Sequence, residues 1–180
     1  MRTVIVYESM FGNTRRIAQA IAEGIGPGAD VRVLGVADVD AGELEGADFI
    51  VIGGPTHALS MSRPGTRRGA PGQTTKAGSD LVLEPGAATG PGVREVLASL
   101  GHVGARAAAF DTRINAPAVL TGRASKAIKR SLDRRGLMVV ADPESFLVDK
   151  KSHLLPGETD RARAWGAHLA TTVERLGTRA

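Results

Sequence analysis

This sequence predicts an α/β fold with a parallel, doubly wound sheet, on three observations. Short β-branched runs such as Val4-Ile5-Val6 and Phe49-Ile50-Val51-Ile52 are apolar throughout rather than alternating, as strands covered on both faces are. Stretches with helical spacing of apolar residues lie between such runs, so strands alternate with helices. The 180 residues suit one domain, residues 1–180, with room for a sizeable core.

Strand 1 is Val4 to Tyr7. A turn follows, and then a helix whose apolar residues Ile17, Ala20, Ile21 and Ile25 share one face. Gly24, Gly26 and Gly28 read as its stop. Strand 2 runs from Asp30 to Val36 with weak alternation, and residues 37–48 leave room for a short helical crossover. Strand 3, Asp48 to Gly53, is apolar and therefore central. An excursion over about residues 61–92 holds 7 glycines and 4 prolines; a connection that long is functional or mobile. A helix with Val93, Val96, Leu97 and Leu100 on one face precedes strand 4, Arg106 to Phe110. A helix over 122–135 buries Ala124, Ala127, Ile128 and Leu132 and stops at Gly136. Strand 5 begins at Gly136–Val140 and continues toward Phe146–Val148. The last helix, Glu158 to Leu176, places Ala162, Trp165, Leu169, Val173 and Leu176 in the core.

Composition removes several classes of function. No cysteine is present, which excludes disulfides and thiol chemistry and makes a cytoplasmic location the default. The start enters a strand at once without a signal-peptide pattern, and no apolar run approaches the ~18 residues of a membrane span. The four histidines have no metal-ligand spacing, so no metal is expected; His102 is expected to be exposed at a helix end. The net charge of +4 is uneven: residues 61–136 carry 13 basic and 5 acidic side chains. That basic middle suits an acidic partner, a phosphate or a solvated face. Nucleic acid is not expected, because no aromatics interleave with the basic run.

The turn Ser9-Met10-Phe11-Gly12-Asn13-Thr14 joins strand 1 to the first helix. Its hydroxyls and amide lie where a helix exposes unpaired N–H groups and its positive dipole end, an anion site. The alternative is an ordinary N-cap by Ser9 or Asn13. Neither a P-loop nor G-x-G-x-x-G is present here. Ser-x-x-Gly-Asn-Thr resembles the phosphate loop of the flavodoxin family. Gly53-Gly54-Pro55-Thr56 after strand 3 is similar to the loop that touches the flavin ring in that family. The resemblance implies a flavodoxin-like five-stranded sheet of order 2-1-3-4-5 with helices on both faces, and FMN as cofactor. Carried over by position, the cofactor-binding residues are Ser9, Met10, Phe11, Gly12, Asn13, Thr14, Pro55, Thr56, His57, Ala58, Asp111, Thr112 and Arg113.

The chain departs from the family where a ring-stacking Tyr or Trp is usual after strand 4; Phe11, His57 and backbone remain as stacking surfaces. Arg63, Arg67, Arg68 and Arg113 are expected to surround the ring with positive charge, favouring the reduced flavin anion. Arg113 pairing with Asp111 or Glu8 is the alternative. His57 is a candidate proton relay or a positioning group. The implied function is electron transfer, or reduction of a small acceptor by an FMN-dependent oxidoreductase. The implied partner is a redox protein or a small acceptor such as a quinone, with the chain a monomer or homodimer. The competing class is the same fold with a degraded flavin site, serving as a non-redox binding module. A response-regulator receiver is excluded, since Gly54-Pro55-Thr56 stands where its acceptor Asp belongs.

Overall fold

The computed structural model describes residues 1–101 and 104–177, so His102 lies outside the described residues. In chain order the elements are β1 (Arg2–Tyr7), α1 (Asn13–Ile25), β2 (Asp30–Gly35), α2 (Ala41–Glu45), β3 (Phe49–His57) and β4 (Ser60–Met61). There follow α3 (Pro64–Arg68), α4 (Pro71–Thr74), α5 (Val93–Ser99), β5 (Arg106–Ile114), α6 (Ala118–Thr121), α7 (Ala124–Asp133), β6 (Met138–Val139), β7 (Glu144–Val148) and α8 (Glu158–Gly177).

The sheet runs β2-β1-β3-β5, and both β6 and β7 pair in parallel with β5. β6 pairs Arg106–Ala107 and β7 pairs Phe110–Ile114, so one strand position is filled in two pieces. Counted as one strand, they complete the expected order 2-1-3-4-5 as a flavodoxin-like sheet. The break between them contains Pro143, which has no N–H to give a ladder. Arg123 holds it, its guanidinium donating to Ser145 Oγ at 2.9 Å and to the Pro143 carbonyl. β4 was not foreseen: it folds back antiparallel on the end of β3.

Each face of the sheet has its own core. Val4, Val6, Ile50, Ile52, Ala107 and Ala109 pack against α5 and α7 through Val96, Leu97, Ile128 and Leu132. On the opposite face Ile5, Val51, Ala108 and Phe110 meet Ile17, Ile21, Ala162 and Leu169 of α1 and α8. Phe110, Phe146 and Trp165 make a triangle of edge-to-face rings with centroids 6.2–6.4 Å apart, so Trp165 is core. Gly53 opposes Phe110 in the ladder, and a Cβ there would enter that ring.

Gly24 is not part of the helix stop. A Cβ at Gly24 would collide with the Arg163 carbonyl, and one at Gly166 with the Ile21 carbonyl. Helices α1 and α8 therefore touch backbone to backbone. Gly26, at φ 85°, ends α1.

Candidate functional site

Parallel strands β1, β3 and β5 end side by side, so the loops that leave them gather at one edge of the sheet. There they line a cleft of about 410 Å³, within the ~300–1,000 Å³ of small-molecule sites. Its walls include Ser9, Met10, Phe11, Asn13, Thr14, Pro55, Thr56, His57, Ala58, Thr112 and Arg113. Gly12 borders the adjoining hollow on the other side of the turn.

The turn is shaped by Gly12, whose φ of 83° belongs to the left-handed region that glycine adopts without strain. Gly12 N–H donates to Ser9 Oγ at 3.1 Å, folding the loop on itself. No side chain caps α1, so neither Ser9 nor Asn13 takes the N-cap role. The first-turn N–H groups are therefore left without a side-chain acceptor at the positive end of a 13-residue helix. Asn13 is turned aside: its Nδ2 donates to the Ser152 carbonyl. Thr14 and Thr112 hydroxyls meet at 2.8 Å, locking the start of α1 to the end of β5.

Asp111 departs from expectation. It is fully buried and faces away from the cleft, where Oδ2 accepts from Ser125 N–H at 2.7 Å in the first turn of α7. Thr56 is shared: it lines the cleft while its Oγ1 accepts from Ala124 N–H at 2.9 Å.

The expected ring of arginines is also corrected. Arg63 and Arg68 are exposed on the excursion and do not line the cleft. Arg67 is buried; its Nη1 meets Ser62 Oγ at 3.1 Å and Glu95 Oε2 at 3.2 Å. Arg113 does line the cleft, pairing with neither Asp111 nor Glu8. Its Nη1 holds the Ala116 carbonyl at 2.7 Å and Thr121 Oγ1 at 3.1 Å, and its buried Nε has no partner among the described residues. Lys150 supplies the second cation on the wall.

Arg67 is buried because it belongs to a network that roots the excursion. Glu8, 2% exposed, accepts from Ser62 Oγ and, at 2.8 Å, from Val93 N–H at the start of α5. Burial pushes the Glu8 carboxyl above its ordinary range, and these hydrogen bonds and Arg67 pull the other way. Farther along, Glu84 N–H donates to the Met10 carbonyl at 2.8 Å and Arg15 pairs with the Glu84 carboxylate at 2.6 Å. Thr66 and Gln73 reach the cleft. The excursion is thus a wall of the site, tied to the turn after β1.

His57 lies on the cleft wall at the end of β3, and burial, aided by Arg67, pushes its pKa below the ordinary 6.5. An unfolded chain takes up this proton near pH 6.5 while the folded one resists. Stability is therefore expected to fall as pH drops below 6.5, and His57→Gln to lose that part of the slope. Urea midpoints at several pH values for both proteins check this. Beside it, Ala58 and Leu59 hold φ values of 45° and 72°, strained for residues with a Cβ.

Sequence reasoning missed Thr66, Gln73, Ile114, Val148 and Asp149 on the wall; the loop 150–157, which the sequence places as a surface loop able to border the site, supplies Lys150 and Ser152. Val148 and Asp149 follow from the rule that ligands sit beyond strand carboxyl ends, once β7 is known to end at Val148. Among the described residues no group of His, Asp and Glu is placed to hold a metal ion, and no helix is long and apolar enough to cross a membrane.

A crevice of this kind, at the carboxyl edge of a 2-1-3-4-5 sheet, with an uncapped helix start on its floor, defines a doubly wound α/β protein of the flavodoxin type. The flavodoxin family model matches residues 5–59, which include the turn after β1 and the loop after β3. The structure is similar to a flavodoxin from the domain Archaea (24% identity, TM-score 0.66, covering 97% of this chain and 99% of that one). It is also similar to oxidised Flavodoxin 1 from Bacillus cereus (21%, TM-score 0.64, 95% and 98%). A third similar structure is rubredoxin oxygen:oxidoreductase from Desulfovibrio gigas (16%, TM-score 0.59), where the match covers 97% of this chain and 36% of that one. No curated protein matches the sequence. The chain has a flavodoxin-like fold.

Proposed function

We propose that the cleft binds FMN and that the protein transfers electrons, either to a redox partner protein or to a small acceptor such as a quinone. The observation that carries this reading is the open start of α1, where Gly12 bends the chain and no side chain takes the first-turn N–H groups. Those groups, with the hydroxyls of Ser9 and Thr14, suit a phosphate monoester. Met10, Phe11, Pro55, Thr56, His57, Ala58 and Thr112 would enclose the rest of the cofactor. Asp111 acts one step back, by fixing α7 behind the loop after β5.

Bound flavin supplies the redox chemistry; the chain supplies position and field. Arg113 and Lys150 bring positive charge to the wall, and Asp149 brings one negative charge, held low by N–H donors from His153 and Lys151. The excess of positive charge favours the reduced anion of the cofactor. Neutral His57 can position a ring oxygen or pass a proton.

An absorbance spectrum of the purified protein, before and after adding FMN, tests the reading. Flavin bands with quenched fluorescence are expected. A redox titration should then give a two-electron potential that becomes more negative in Arg113→Gln. No binding at micromolar FMN would overturn the reading and leave a non-redox phosphate binder, the role that the lack of Tyr and Trp on the described wall would suit.

A further inference from the structure

The cleft has an annex. A hollow of about 180 Å³ lies between α4, the turn after it and the loop after β7, and shares Gln73, Lys150 and Ser152 with the main cleft. Three lysines line it: Lys76 from the excursion, and Lys150 and Lys151 from the loop after β7. None of their ammonium groups has a hydrogen-bond or ion-pair partner among the described residues. One carboxylate, Asp80, shares the hollow, and it is engaged by His153 Nε2 at 3.0 Å. Nearby Asp149 is likewise occupied, its Oδ1 accepting from Lys151 and His153 N–H groups at 2.8 and 2.9 Å. Three ammonium groups facing a single carboxylate leave the hollow with an excess of positive charge, which a bound anion offsets.

Resting on the FMN reading, we propose that this annex binds the carboxylate of a planar acceptor whose ring enters the main cleft. Three features support it. The annex adjoins the cleft, sharing Gln73, Lys150 and Ser152 with it, so a carboxylate held there keeps its ring beside the cleft. Its polar neutral groups, Gln73, Ser79 and Ser152, add donors that suit a carboxylate. The two sides come from segments far apart in sequence, 73–81 and 150–152, so the folded chain assembles the cluster. The site thereby distinguishes anionic from neutral acceptors of the same shape.

The test uses anthraquinone-2-carboxylate and its uncharged isostere anthraquinone-2-carboxamide, titrated calorimetrically into FMN-loaded protein. The carboxylate is expected to bind about tenfold more tightly at low ionic strength, with the advantage shrinking as salt rises. The double variant Lys76→Gln/Lys151→Gln changes two exposed side chains that do not line the main cleft. It should keep its FMN affinity and bind both compounds alike. Equal binding by the wild type, or a carboxylate preference that survives in the variant, overturns the proposal. A chain that takes no FMN refutes the functional reading instead, and the same pair titrated into the cofactor-free protein then decides the annex by itself.

Discussion

Alanine at Gly166 is expected to lower stability by about 3 kcal/mol, a fall in Tm of about 10 °C for a chain of this size. In an ordinary helix the change would help by up to ~1 kcal/mol, because alanine is the better helix former. Here the new methyl has nowhere to go. Its neighbour is the carbonyl of Ile21, backbone rather than a side chain that can turn away, so α1 and α8 must separate. Separation thins the core around Ile17, Ile21 and Leu169 and tilts the helix that begins at Asn13. The second readout is therefore weaker FMN binding. Gly177→Ala on the same helix, with open space around it, should change little. Thermal unfolding of both variants separates a packing clash from a general effect of alanine.

Glu8→Ala is expected to cost about 3–5 kcal/mol, the range for removing one partner of a buried charged network. It strips α5 of the acceptor at Val93 N–H, leaves Ser62 Oγ without its carboxylate, and takes a counter-charge from buried Arg67. Glu95 remains beside Arg67, so the network is weakened rather than abolished. Glu8→Gln keeps the shape and should cost less. The two proteins also differ in pH dependence. Because burial raises the folded carboxyl above its ordinary 4.5, Glu8's favourable contribution is fully present below that value. It is lost as pH rises through the raised one. Glu8→Gln should lack this slope in chemical denaturation series between acid and neutral pH.

Much of the framework was legible because it is local. The runs at Val4–Tyr7 and Phe49–Ile52 need no partner to read as buried strands, and Ile17, Ile21 and Ile25 declare a helix face by spacing alone. The turn at 9–14 was legible for the same reason, as were residues 55–58. What escaped depends on pieces brought together from afar. Asp111 looked like a cleft residue until α7 was placed against it. Arg67 looked like a charge beside the ring, since nothing in its own segment announces Glu95 or Ser62 as partners. Gly24 read as a helix stop because its use is set by Arg163 in another helix. The second piece of strand 5 was seen, and the loop 150–157 beyond it read as one able to border the site, but Val148 and Asp149 at its start were not placed on the wall. Short helices α3 and α4 were hidden in a segment whose glycines and prolines carry no periodicity.

The backbone contact between α1 and α8 also fixes a timetable. During synthesis the turn at residues 9–14 leaves the ribosome early, yet the helix behind it rests on a segment near residue 166 that is made much later. Until then the nascent chain has the letters of an anion site without the support that holds them in place. Cofactor capture is thereby deferred until that later segment has been made. A chain stalled or clipped before residue 158 should emerge colourless however much flavin surrounds it, which would make pigment a marker that α8 has been made and docked.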